Sequence, residues 1–337
     1  MKSRFYIILV NFNGLNDTIE CLESLNAQKN QDFQIIVIDN SDVQDDFDTF
    51  QAWVSGKVPI QIETSFPEFS KPFKGEQIDY AFVMEEALEE QIFDEKLLVV
   101  KARKNQGFAA ANNVALRYLK RLEIESSWIW LLNNDTVVAK NVINEIKNLL
   151  YGFSTNDIKN TLFGTPLLEY DRSNKIQAIG GKYNKISGIT SHIGEGIKYT
   201  HNLELSNFKI DYPIGASLIL SSSFLEHIGL MSEEYFLFFE ELDWVQRAKK
   251  SGGKTAVLPV FGVYHKQGKS TLFGVKNKKS EFIDLLSLRN RILISRKFYK
   301  KYLFTVKLFI ITATIFKRII SGSFDRIPKI IKLVITT

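Results

Sequence analysis

The sequence predicts an α/β fold in which a mostly parallel sheet is flanked by helices. Three features point there. Short apolar runs alternate with helical segments through the first half of the chain. Four of those runs end in clusters of Asn, Asp and Gly. At 45% hydrophobic and 24% charged, the 337 residues suffice for a sizeable core.

The elements follow in order. Phe5–Val10 is a continuous apolar run, closed by Asn11 and Asn13, and reads as a buried first strand. It is too short for the core of a signal peptide. A helix over Asn16 to Gln28 carries Ile19, Leu22 and Leu25 at helical spacing. Strands are predicted at Phe33–Ile38, Leu97–Ala102 and Ser127–Leu132, with helices at Phe108–Leu122 and Ala139–Leu150. The stretch 41–96, with two helix-like pieces and a polar, Pro-containing middle, reads as an insertion. Short β-like segments with Gly punctuation follow from Leu162 to Leu220. Then come a helix near Ser222–Ile228, a second opening near Glu240, and strands around Ala256–Leu258 and Gly262–His265. The division expected is a domain over 1–279 and a basic helical tail over 280–337.

Charge is uneven. From Leu285 onward there are twelve Lys or Arg and one acid, Asp325, a net +11; with the chain at +5, the preceding 284 residues carry −6. The tail alone therefore suits an anionic surface. Aromatic and Lys residues alternate there (Phe298, Tyr299, Tyr302, Phe304 and Phe309 among Lys297, Lys300, Lys301 and Lys307), as in a helix lying on an anionic membrane. The competing reading packs these helices on the body or on a second copy, a homo-oligomer. No apolar stretch is long enough to span a bilayer. The lone Cys21 excludes an internal disulfide and fits a reducing compartment, so the expected location is cytoplasmic, at the inner face of the plasma membrane. Nucleic acid is not an expected partner, because the basic charge is confined to the tail.

The strand-end clusters are Asn11-Phe12-Asn13-Gly14, Asp39-Asn40-Ser41-Asp42, Asn105-Gln106-Gly107 and Asn133-Asn134-Asp135. Any one is ordinary turn chemistry, but in an open parallel sheet all four lie on the rim where ligands bind. Neither the dinucleotide fingerprint nor the Walker loop is present, so bound phosphates would be neutralised by a metal. Asp135, at the mouth of an apolar strand, is the natural ligand for Mg²⁺ or Mn²⁺; the lesser alternative is an N-cap for the following helix. Glu240, Glu241 and Asp243 open another helix. Dipole and ion-pair chemistry with Arg247 explains Glu240 and Asp243, whereas Glu241, among aromatic and apolar neighbours, has the setting of a general base. His265 ends a short strand and enters the loop Lys266-Gln267-Gly268-Lys269-Ser270-Thr271.

Together these segments resemble family 2 glycosyltransferases of the GT-A fold, a Rossmann-like architecture, in the rhamnosyltransferase-like and galactofuranosyltransferase-like branch. The matching stretches, in the family's order, are LVNFNG, VIDNSD, NQGFAAANN, LLNNDTVV, IGASLILSSSFLEHIGLMSEEYFLFFEELDW and VYHKQGKST. The resemblance implies that Asn11, Phe12, Asn13 and Asp39 hold the base and ribose, with Gly107 and Asn113 near the donor. Asn133, Asn134 and Asp135 would occupy the family's DxD segment, and Asp135 and His265 would hold Mn²⁺ or Mg²⁺. Glu241 would fall at the catalytic acid, Glu240 and Asp243 would assist it, and Trp244 would stack on a sugar. There are two departures: Asn133 stands at the first DxD position, and Glu241 is one methylene longer than the usual Asp.

The implied reaction moves a sugar, with inversion, from a nucleotide diphosphate donor (dTDP-rhamnose or a UDP-sugar) to a hydroxyl of a glycan or lipid-linked glycan in cell-surface polysaccharide synthesis. Its rivals are a sugar nucleotidyltransferase and a non-catalytic glycan-binding or scaffolding protein.

Overall fold

The computed structural model describes residues 4–41, 44–58, 60–72, 78–124, 126–200, 202–266 and 281–337. The expected boundary at 279/280, Asp42, and the loop from Gln267 to Thr271 lie outside the described residues. The strands, in chain order, are β1 (Phe5–Asn11), β2 (Gln34–Asp39), β3 (Tyr80–Met84), β4 (Leu97–Lys101), β5 (Trp128–Leu132), β6 (Thr136–Val138) and β7 (Thr161–Gly164), then β8 (Leu167–Glu169), β9 (Ile176–Ala178), β10 (Gly180–Tyr183), β11 (Thr190–Ile193), β12 (Ser217–Ser221), β13 (Lys254–Val257) and β14 (Val263–His265).

Eight of them form one sheet in the order β13-β7-β12-β5-β1-β2-β4-β3. It is parallel except where β12 runs antiparallel to β5 and β7. The continuous apolar runs arise because both faces are covered. Alternate residues point to opposite sides: Tyr6, Ile8, Ile36, Ile38, Leu98 and Val100 enter one core, and Phe5, Ile7, Ile35, Val37, Leu97 and Val99 the other. The expected strands and helices of the first half form within one to three residues of their predicted ends. The sequence reading missed the edge strand Tyr80–Met84, paired with β4, the short strand Thr136–Val138 and the helix Thr155–Asn160.

The chain winds from β1 outward to β2 and β4, then returns to place β5 on the other side of β1. This reversal opens a crevice at the carboxyl ends of β1 and β5. A smaller sheet, β6-β14-β8-β9, lies at the same end, its strand β6 following β5 after three residues.

The helix Glu281–Phe298 is buried on two sides. Ile294 enters the main core, while Leu288 and Ile292 pack with Val306, Ile310, Ile330 and Val334 of the helices that follow. Tyr183 stacks on Tyr299, and its hydroxyl lies 2.9 Å from Ser295 Oγ. This helix is thus built into the body. The later helices form its outer layer, pinned by Asp284 to Arg318 and Arg326 and by Glu281 to Lys329.

Ile294 is fully buried and Phe304 is 75% exposed. Ile294→Ala is expected to lower unfolding free energy by about 2–4 kcal/mol and Phe304→Ala by less than about 0.5 kcal/mol. Urea unfolding of the full chain checks both; equal effects would contradict this packing.

Candidate active site at the carboxyl edge of the sheet

Asn11 and Asp39 end neighbouring strands, where the register sets them opposite one another. Asn11 Nδ2 donates to Asp39 Oδ1 at 2.9 Å and to Ser41 Oγ at 3.2 Å, and its Oδ1 accepts from Thr18 Oγ1. Lys101, at the end of β4, donates from Nζ to Asp39 Oδ2 at 2.8 Å. Both Asn11 and Asp39 are buried, so they shape the crevice floor, while Phe12 is half-buried and Asn13 exposed above them. Asn13 holds a left-handed φ of 50° and donates its N–H to Ser41 Oγ. Asn134 closes the crevice from the β5 side, donating from Nδ2 to Thr18 Oγ1 at 2.9 Å.

The antiparallel pairing of β14 with β6 sets His265 opposite Thr136 and joins Lys266 N–H to the Asp135 carbonyl. This brings His265 Nε2 to 3.1 Å from Asp135 Oδ1, both side chains being buried. Gln177 on β9 orients the ring: its Nε2 donates to the His265 carbonyl, so its Oε1 accepts from Nδ1–H at 2.7 Å. With Nδ1 engaged by Gln177, Nε2 is the ring nitrogen turned toward Asp135. Asn133 Nδ2 lies 3.4 Å from the same nitrogen. Asp135 Oδ1 is buried without a hydrogen-bond partner and lies beside this nitrogen. A buried carboxylate oxygen with no bonded partner next to an imidazole nitrogen is an O/N donor pair of the kind that fits Mg²⁺ or Mn²⁺. Among the described residues no cluster of three or more His, Cys, Asp or Glu could hold a metal; phosphate and water oxygens would complete the shell.

Behind this pair, Lys266 forms ion pairs with Asp17 and Glu20, and Tyr170 donates to Glu20 Oε1 at 2.6 Å. These contacts fasten the end of β14 to the first helix.

The acidic cluster reaches the same edge from the other side. Asn133 N–H donates to the Ala216 carbonyl at 3.0 Å, and Gly215 precedes it. A Cβ on Gly215 would lie 3.8 Å from Glu241 Cδ, so the Glu241 carboxyl lies against the residue next to the Asn133 contact. Glu240 is buried, with Oε2 unbonded; Glu241 is half-buried. Burial pushes both carboxyls above the ordinary range, and Glu241 beside it adds to the rise at Glu240. Of this pair, Glu241 has the surface through which a solute hydroxyl could reach it.

Other expected site residues are placed elsewhere. Asp243 is fully buried and bonded to Tyr235 Oη, Arg247 Nε and Lys297 Nζ, so it supports the loop and meets no acceptor. Trp244 is fully buried, donating from Nε1 to the Gly229 carbonyl, and therefore cannot stack on a sugar. Asn113 joins its helix to Met231 and Glu233. Gly107, at φ 94°, lies against Phe236, whose carbonyl would sit 2.1 Å from an added Cβ. Gly107 and Asn113 thus position the Phe-rich loop rather than line an open donor surface. The sequence reading missed Gln177, Lys101 and Thr18. Lys101 left a signal, a charge closing an apolar run; Gln177 left none.

No protein-family model matches the chain. In sequence it is 25% identical over 199 residues to the low-salt glycan biosynthesis hexosyltransferase Agl10 of Haloferax volcanii, covering 58% of this chain and 59% of that protein. It is 23% identical over 175 residues to the dTDP-rhamnosyl transferase RfbF of Shigella flexneri, covering 52% and 53%. The chain thus spans a little over half the length of the curated relatives it matches. In fold it resembles the mannosyltransferase PcManGT of Pyrobaculum calidifontis, in complex with GDP-Man and Mn²⁺, with TM-score 0.50 and 9% identity, covering 90% of this chain and 69% of that one. The fold is therefore GT-A, and in sequence and fold together the chain is similar to the family 2-like glycosyltransferases.

Proposed function

We propose that the chain is an inverting, metal-dependent glycosyltransferase that moves a sugar from a nucleotide diphosphate donor to a hydroxyl of a glycan. The observation that carries this reading is the meeting, at one sheet edge, of the Asp135–His265 pair and the raised carboxyl of Glu241. The relatives' names, a hexosyltransferase and a dTDP-rhamnosyl transferase, support the reaction class. The first donors to test are dTDP-rhamnose and UDP-sugars.

In this reading Phe12, Asn13 and Asn134 border the nucleoside, over the floor made by Asn11 and Asp39. Asp135 and His265 hold Mn²⁺ or Mg²⁺, which when bound supplies charge stabilisation to the diphosphate leaving group. Glu241 takes the proton of the acceptor hydroxyl. The acceptor oxygen bonds to the anomeric carbon from the face opposite the leaving group, so configuration inverts. The bond to the diphosphate oxygen breaks, and its electron pair leaves with the nucleotide. Glu240, itself raised, keeps a second negative charge away from the base.

The outer C-terminal helices support a second part of the proposal: contact with an anionic membrane that carries a lipid-linked acceptor. Phe304, Leu308, Ile311, Phe316, Ile319, Ile320, Ile331 and Ile335 are exposed there. Pro328, Ile331 and Ile335 line a shallow apolar hollow. Lys307, Lys317 and Lys332 stand among them without an ion pair among the described residues. A second copy docked face to face would set like charges together, so a lipid surface fits better. No described helix is long and apolar enough to cross a membrane.

Four outcomes are expected. Glu241→Gln lowers turnover about 10²–10⁴-fold, read by transfer from a radiolabelled donor; near-normal turnover would refute the base. The same variant is more stable than the parent at pH 8. The folded carboxyl binds its proton more tightly than the unfolded one, so the stability it lends is full below about 4.5 and lost as pH rises through about 7. Gln177→Leu weakens Mn²⁺ binding by roughly 10–100-fold by calorimetry with UDP or dTDP present. In flotation with phosphatidylglycerol vesicles at low salt, the parent rises with the lipid and Phe304→Ser/Phe316→Ser stays behind. A parent that fails to float would end the membrane proposal.

A further inference from the structure

The turn that leads into the acidic helix has a costly backbone. Phe236, Phe238 and Phe239 hold left-handed φ values of 65°, 71° and 75°. Bulky residues adopt this region at a cost of about 1–3 kcal/mol each, and only where their surroundings leave no alternative. Phe239 is the residue before the helix Glu240–Lys250, so its dihedrals aim the first turn, Glu240 and Glu241 included.

What holds the turn comes from the far end of the chain. Asn290 lies mid-helix in Glu281–Phe298 and is fully buried. Its Nδ2 donates to the carbonyls of Tyr235 at 2.9 Å, Leu237 at 2.8 Å and Phe238 at 3.1 Å. An amide nitrogen has two hydrogens, so at least one is shared between carbonyls. From the same helix, Arg289 Nη1 donates to the Glu234 carbonyl, and Lys297 Nζ lies 2.6 Å from Asp243 Oδ2. On the opposite side, Phe108 N–H donates to the Phe236 carbonyl at 2.8 Å.

We infer that Asn290 is a positioning residue for Glu241, acting through the turn 235–239 with its positive φ at Phe236, Phe238 and Phe239. This rests on the reading of Glu241 as the base. Without the Asn290 amide, three carbonyls lose their donor, the turn relaxes toward ordinary dihedrals, and the carboxyl shifts out of its buried setting. A shift of about an ångström costs on the order of 10²-fold in rate. The nucleotide crevice is built from other strands and stays as it is.

The test uses the full chain, with Asn290→Ala as the variant and the parent and Glu241→Gln in the same transfer assay. Expected are a kcat reduced about 10–100-fold and affinity for UDP or dTDP with Mn²⁺ within about twofold of the parent. The acid limb of the pH–kcat/KM profile should move down toward the value of an ordinary Glu. A purely structural role would reduce the active fraction and leave that limb in place. If the Ala variant does not fold, Asn290→Ser, which keeps one donor, is expected to show a smaller shift in the same direction. A parent that transfers no sugar, or an active Glu241→Gln, would refute the transferase or base reading. A parent that works and a Glu241→Gln that does not, beside an Asn290 variant with unchanged kcat or acid limb, would overturn this inference alone.

Discussion

His265 Nε2 and Asp135 Oδ1 face each other at 3.1 Å inside the protein, and the opposite ring nitrogen is engaged by Gln177. A buried carboxylate needs positive charge close by, from the imidazole or from a cation held with it. Much of the local architecture serves to keep the pair together. The pairing of β14 with β6 sets the register, β9 supplies Gln177, and the Lys266 ion pairs tie the strand's end to the first helix. If β14 slipped by one residue, every side chain would change faces and His265 would leave the site.

The other half of the site depends on a different device. The metal-type pair rests on sheet register, which is rigid and densely bonded. Glu241 rests on a short run of strained backbone held from both sides, by Gly107 and Phe108 on one and by Asn290 on the other. The two halves meet where Asn133 N–H reaches the Ala216 carbonyl, with Gly215 leaving room beside Glu241.

The α/β class, the central strands and the acidic helix were legible because each is a local pattern: apolar runs, helical spacing, and polar clusters where strands end. Asp135, His265 and Glu241 stood out because the chain order of their motifs resembles a known family, and the structure sets Asp135 and His265 side by side. The edge strand Tyr80–Met84 was not legible, because an exposed edge carries only half the apolar signal of a central strand. The role of Glu281–Phe298 was also obscure. A helix buried on two opposite sides loses the single apolar stripe that sequence reading looks for, so packing on the body stayed only one of two readings, beside a membrane-facing tail. Asp243 and Trp244 stood beside Glu241 in sequence, but helical geometry turns both inward, where they bond to Tyr235, Arg247 and Lys297 and to the Gly229 carbonyl. Gln177 and Asn290 act through contacts 88 and 55 residues away in sequence, which no local pattern encodes.

The most direct test is a crystal structure of the chain soaked with Mn²⁺ and UDP or dTDP, with anomalous data collected at the manganese edge. The account predicts a single strong peak in coordination distance of both Asp135 and His265 Nε2, bridged to the diphosphate, with the nucleoside in the crevice between β1 and β5. A nucleotide bound there with manganese absent, or manganese held by other residues, would contradict it.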